Sequence, residues 1–139
     1  MSDAREREEG LVPRLDFQKL RKVGEQGQDV VPVVLQNADD GTVLYLAYAN
    51  ELALRETLKT GRAVLWSTSR RELWRKGESS GDVLEVVDVS VNCEQNSLLY
   101  RVRPVGDGVC HTTDPATGKA RDRCYYRRLT PDGEKLEFA

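Results

Sequence analysis

Four side chains in this 139-residue sequence have chemistry that ordinary packing does not require: Cys93, Cys110, Cys124 and the only histidine, His111. The cysteines follow a C-x16-C-x13-C spacing. They lack the C-x2-C pair with which a tight turn presents two thiolates to one zinc ion, so any metal they share must be assembled by tertiary or quaternary structure. Three thiolates on zinc would leave the fourth tetrahedral position to water, whose pKa the metal lowers to near ~7. His111 adjoins Cys110, where a neutral imidazole can move a proton to or from such a water or a leaving nitrogen. Plainer readings exist for each. Cysteines often serve as small buried hydrophobes, and a lone histidine is more often structural than catalytic. An odd number of thiols leaves one over from any closed disulfide framework, which favours a reducing compartment.

The hydrophobic pattern specifies the elements that must position these groups. Residues 1–14 carry no pattern to bury and read as a solvated, flexible tail. Leu15 to Leu20 predicts a short amphipathic helix ended by the Gly24 to Gly27 stretch. Val30 to Leu35 and Thr42 to Tyr48 flank the turn-forming run Asn37 to Gly41 and predict a hairpin. Pro32 cannot donate a ladder hydrogen bond, which places its strand at an edge or makes the strand begin after it. Asn50 is expected to cap a helix running to Thr60, with Leu54 and Leu58 on the apolar face and Gly61 at its end.

Ala63 to Ser67, Val83 to Val91, Leu98 to Val105 and Cys124 to Tyr126 read as strands. Trp66 is expected to anchor the core. Thr68 to Gly81 reads as a polar, basic loop of a length that is often functional. A further tail covers residues 131–139. The sum is one domain over residues 15–130, of α+β class, with a largely antiparallel β-sheet and one or two helices.

Composition removes several function classes. With 39% hydrophobic and 32% charged residues, the chain has no apolar stretch near the ~20 residues that a membrane helix needs. A net charge of -2 is too near neutral for nonspecific binding to nucleic acid, and no nucleic-acid motif is present. The first ten residues mix both charge signs and lack the apolar core of a secretory signal, which points to the cytoplasm.

Several segments together resemble the phosphoribosyl-AMP cyclohydrolase family of histidine biosynthesis. They are Leu46-Ala47-Tyr48-Ala49-Asn50, Thr60-Gly61-Arg62-Ala63, Trp66-Ser67-Thr68-Ser69-Arg70 and the run from Glu72 to Gly81. Cys93, Cys110-His111-Thr112 and Cys124-Tyr125-Tyr126-Arg127 continue the likeness, which covers roughly residues 30 to 129. The resemblance implies an intertwined homodimer in which zinc is held by Cys93 of one protomer and by Cys110 and Cys124 of the other. It also implies the reaction, hydrolysis of the N1-C6 bond in the adenine ring of N1-(5-phosphoribosyl)-AMP. Zinc-bound hydroxide would then be the nucleophile and His111 the proton shuttle. The small-molecule substrate carries two phosphates. Arg70, Arg75 and Lys76 supply cations for them and Ser67, Ser69, Ser79 and Ser80 supply hydroxyls, while Trp74 is placed to stack on the base.

The sequence departs from the family in two places. Where the family has an Asp-Cys-Asp-x-Asp arrangement for magnesium, this chain has Asn92-Cys93-Glu94-Gln95-Asn96. One carboxylate replaces three at positions Asn92, Glu94 and Asn96, which argues against a tightly held magnesium. The second departure is the stretch 113–123 between the later cysteines, which is longer than in the family and reads as an added surface turn. Two other functions remain open on these residues: a paralogous zinc hydrolase acting on another purine or nucleotide, and a non-catalytic zinc domain that binds a partner. The chain ends soon after the last family block, as expected for an enzyme not fused to a downstream pyrophosphohydrolase.

Overall fold

A computed structural model describes residues 2–139. Two short helices, α1 (Asp3–Glu9) and α2 (Lys19–Glu25), precede the sheet. Strands β1 (Val31–Asn37) and β2 (Val43–Ala49) form the hairpin that the sequence predicts. Its turn is built by side chains that bond the backbone: Asn37 Oδ1 accepts from Asp39 N at 2.8 Å and Asp40 Oδ1 accepts from Thr42 N at 2.8 Å. Helix α3 (Glu51–Thr60) follows, then the short strands β3 (Val64–Ser67) and β4 (Glu72–Arg75). The long strands β5 (Leu84–Val91) and β6 (Leu98–Pro104) complete the main sheet, and β7 (Arg127–Leu129) with β8 (Leu136–Phe138) closes the chain.

The main sheet has the order β2-β1-β6-β5, with only the β1-β6 pair parallel. The class is α+β with mostly antiparallel pairing. Alternation sets the core face, where Val33 and Leu35 of β1 and Tyr100 and Val102 of β6 are fully buried, joined by Leu84 and Leu65. Pro32 does not mark an edge, because β1 lies inside the sheet. It pairs with Tyr48, and the parallel ladder to β6 begins one residue later at Val33 and Leu98, so Pro32 stands outside that ladder.

The cap and stop of α3 match their sequence signals. Asn50 accepts from Ala53 N at 2.9 Å, and Gly61 ends the helix in the left-handed region at φ 73°. The buried face is different from the one expected. Ala53 and Thr57 lie against the sheet with Leu54 half-buried, whereas Leu58 is 64% exposed. Small residues let the helix approach β3 closely, and the buried Thr57 hydroxyl takes the Val64 N–H at 3.0 Å, tying helix to strand.

Other expectations also shift. The helix predicted from Leu15 starts at Lys19, because the Asp16 carboxylate bonds Gln18 N at 3.0 Å and leaves Leu15 and Phe17 exposed. The basic loop after Ser67 contains β4, which pairs Leu65 with Trp74 and Trp66 with Leu73. Trp74 therefore packs against the core, while Trp66 is only half-buried and donates Nε1–H to Gln28 at 2.7 Å. Cys124 to Tyr126 is not a strand. Cys124 N bonds Leu44 O at 2.6 Å, the Tyr126 ring stacks on Phe138 of β8, and strand pairing begins at Arg127. Residues 131–139 form a turn and β8. Met1 of the expected N-terminal tail lies outside the described residues, and the rest of that segment holds a third helix, α1. No helix among the described residues is long and apolar enough to cross a membrane.

Candidate active site

The β3-β4 hairpin is joined to the sheet by backbone bonds from Ala63 N to Leu84 O at 2.9 Å and from Val86 N to Gly61 O at 2.8 Å. Beyond β4 the chain turns sharply at Gly77, whose φ is 81° and whose missing Cβ would lie 2.3 Å from the Asp82 backbone. Only glycine permits that approach. The turn brings Lys76 inward, where it is 8% exposed and donates Nζ to Asp82 O at 3.1 Å. Burial lowers the Lys76 pKa, an effect opposed by the nearby Asp82 and Cys110.

On the opposite wall Val109 and Cys110 both donate backbone N–H groups to Arg121 O, at 2.9 and 2.8 Å, and Arg121 N returns to Thr112 O at 2.9 Å. The intervening residues close a compact turn, with Asp114 N to Lys119 O and Gly118 N to Asp114 O both at 2.8 Å. Cys110 and Cys124 therefore approach from two anchored backbones, one held through Arg121 and the other through Leu44 of β2.

The two walls enclose a cleft of about 490 Å³. Arg70, Trp74, Arg75, Lys76, Ser79, Ser80, Cys110 and His111 line it, so most of the residues singled out in the sequence face one space. Ser67 and Ser69 do not line it. They lie 3.3 Å apart in the β3-β4 turn, where Ser67 Oγ accepts from Arg70 N at 3.2 Å and so shapes the backbone that carries Arg70. Arg75 is shared with α3 through a 3.4 Å contact to Glu56. The Trp74 ring sits 6.2 Å from Tyr45 at 40°.

The cleft also holds acidic groups beside the cations expected to bind phosphate: Glu72, Glu78 and Asp82. Glu72 and Glu78 both fall within the Glu72-to-Gly81 run that carries the family likeness. Glu8 had no such signal, since it is far from His111 in sequence yet lies 3.0 Å from its Nε2.

The two thiols polarise each other. The interaction with Cys124 holds the Cys110 pKa well below the ordinary thiol range, with help from the Thr112 hydroxyl 3.2 Å away and against the opposing effect of burial. The Cys124 pKa is pushed upward by the same interaction and by partial desolvation of the thiol on an otherwise exposed residue, so the pair shares one proton. Tyr45 is buried close by without a hydrogen-bond partner for its hydroxyl, and its pKa is raised by burial and by both thiols.

A half-ionised thiol pair is a soft donor set of the kind zinc takes. Among the described residues, however, no three His, Cys, Asp or Glu side chains cluster closely enough to hold a metal. Cys93 is exposed on the β5-β6 connection, apart from the pair. The neighbours of Cys93 bond one another: Asn92 Nδ2 to Asn96 Oδ1 at 2.7 Å and Asn96 Nδ2 to Glu94 Oε2 at 3.0 Å. One carboxylate among amides already engaged in this way suits magnesium poorly.

Residues 45–126 match the phosphoribosyl-AMP cyclohydrolase family. A phosphoribosyl-AMP cyclohydrolase of Alkalilimnicola ehrlichii is 45% identical over 106 residues, 76% of this chain and 69% of its own. One from Archaeoglobus fulgidus is 46% identical over 103 residues, 74% of this chain and 88% of its own. A histidine biosynthesis bifunctional protein of Thermus thermophilus is 48% identical over 106 residues, 76% of this chain but 45% of its own. With its cleft residues inside the matched span, the chain belongs to the phosphoribosyl-AMP cyclohydrolase family.

Proposed function

We propose that the cleft hydrolyses the N1-C6 bond in the adenine ring of N1-(5-phosphoribosyl)-AMP as a step of histidine biosynthesis. The observation that carries this reading is the convergence of Arg70, Lys76, Ser79, Ser80 and His111 on one space beside the thiol pair Cys110 and Cys124. Arg70 and Lys76 offset the charge of the two phosphates, and the serine hydroxyls orient them. The half-buried face of Trp74 is placed for the base. Water adds to C6 as the N1-C6 bond breaks; His111 takes a proton from the attacking water and returns it to the ring nitrogen, giving the formimino-carboxamide ribotide.

Zinc is the metal that best suits the donors, held by Cys110 and Cys124 with Cys93 supplied by a second copy of the chain. When bound, it would lower the pKa of the attacking water and so supply hydroxide near neutral pH. A homodimer is supported by the separation of Cys93 from the other thiols and by exposed apolar side chains on β2, α3 and β5: Leu46, Leu52, Leu58, Val87 and Val91. Three free thiols suit a reducing compartment, the cytoplasm. The test is to mix purified protein of known zinc content with phosphoribosyl-AMP and follow ring opening by absorbance. Turnover that rises with zinc content supports the reading, and inert zinc-loaded protein refutes it.

A further inference from the structure

Helix α1 lies outside residues 45–126, the span that matches the family, yet its last turn reaches the mouth of the cleft. Glu8 Oε1 stands 3.0 Å from His111 Nε2. The segment is held there by polar contacts, since α1 has no buried residue. Glu9 grips the Arg121 guanidinium with both oxygens, one of them at 2.9 Å. Tyr126 donates its hydroxyl to Glu8 O at 2.8 Å, and Arg127 donates to Gly10 O and Arg7 O, each at 2.7 Å. Leu136 N bonds Leu11 O at 2.9 Å. Arg121 is itself packed 3.9 Å from the Tyr126 ring. Glu8 thus sits on a backbone fixed on both sides and is 32% exposed, whereas the His111 side chain is 77% exposed.

We infer that Glu8 is a positioning residue that holds the His111 imidazole in the tautomer protonated at Nε2. A carboxylate only accepts, so a bond at this distance requires the proton on Nε2 and leaves the Nδ1 lone pair to take a proton. An imidazole as exposed as His111 would otherwise turn freely and exchange tautomers. The inference rests on the reading of His111 as the proton-transfer group, with Glu8 acting through it rather than on substrate.

His111 is the only histidine, so its nitrogens can be observed without ambiguity. The experiment compares ¹⁵N spectra of the labelled full-length protein at one mildly alkaline pH for wild type, Glu8→Ala and Glu8→Gln. Expected are a single Nε2-protonated pattern in wild type, a mixed pattern in Glu8→Ala, and retention of the wild-type pattern in Glu8→Gln, whose amide oxygen still accepts. In parallel, kcat of Glu8→Ala on phosphoribosyl-AMP should fall by about tenfold with KM within about twofold, and Glu8→Gln should recover most of that loss. Identical imidazole spectra in wild type and Glu8→Ala would overturn the inference, as would an unchanged kcat in Glu8→Ala. If wild type itself fails to turn over the substrate, the functional reading fails, while the spectra still decide whether Glu8 sets the tautomer.

Discussion

Cys110 and Cys124 lie close enough to perturb each other's ionisation: their interaction draws the Cys110 pKa down, helped by the Thr112 hydroxyl 3.2 Å away, and the Cys124 pKa up. The metal-free protein should therefore carry one thiolate per chain across the neutral range. Ultraviolet thiolate absorbance should be present at neutral pH and disappear only in acid, well below the ordinary thiol range. In Cys124→Ala that interaction is gone while much of the burial of Cys110 remains, so the ionisation should move to higher pH. A wild-type protein with no thiolate at pH 7 would contradict this.

Cys93 stands apart from the other two thiols in a single chain, which gives the shared-site reading a sharp consequence. Cys93→Ala and Cys110→Ala should each be inactive alone. Dissociated, mixed and reassembled, they should form some dimers with one intact site, restoring roughly a quarter of wild-type activity by random pairing. Mixing that restores nothing, although exchange of subunits is verified, would mean that each site is built within one chain.

Glu9 and Arg121 make the best-shielded ion pair among the described residues, with side-chain exposures of 21% and 8%. The Arg121 hydrogen bond lowers the Glu9 pKa below the ordinary 4.5. A carboxyl depressed on folding stabilises the protein above its unfolded value, and that contribution is lost as the pH falls through the lower folded value. Glu9→Gln should cost about 2 kcal/mol at neutral pH, the range for a hydrogen bond to a charged group. The gap from wild type, measured by urea unfolding, should narrow in acid. A gap that stays constant down to the acid-unfolding limit would show that the ion pair contributes nothing through charge.

Local signals in the sequence were strong where the backbone itself demands a residue type. The Asn50 cap, the Gly61 stop and the turn after Asn37 are such places, and all three appear where expected. Tertiary packing decided the rest. Leu58 fits the helical period, but the close approach of α3 to β3 selects Ala53 and Thr57 instead. The basic segment has too few apolar residues to announce a strand, yet Leu73 and Trp74 suffice for β4 once β3 lies beside it.

Most of the cleft was legible because Arg70 to Ser80 and Cys110-His111 are compact blocks. The α1 contact was not, since Glu8 meets His111 through a fold that no local pattern encodes. The same holds for Ser67 and Ser69, whose hydroxyls serve the turn rather than the cleft.

The most direct test of the whole account is the rate of phosphoribosyl-AMP ring opening by wild type and by Cys110→Ser, with bound zinc quantified in both. Serine keeps the size of the side chain but not a thiolate. Turnover is expected from the wild type, with loss of both zinc and turnover in a variant that remains folded. Undiminished turnover by folded Cys110→Ser would contradict it.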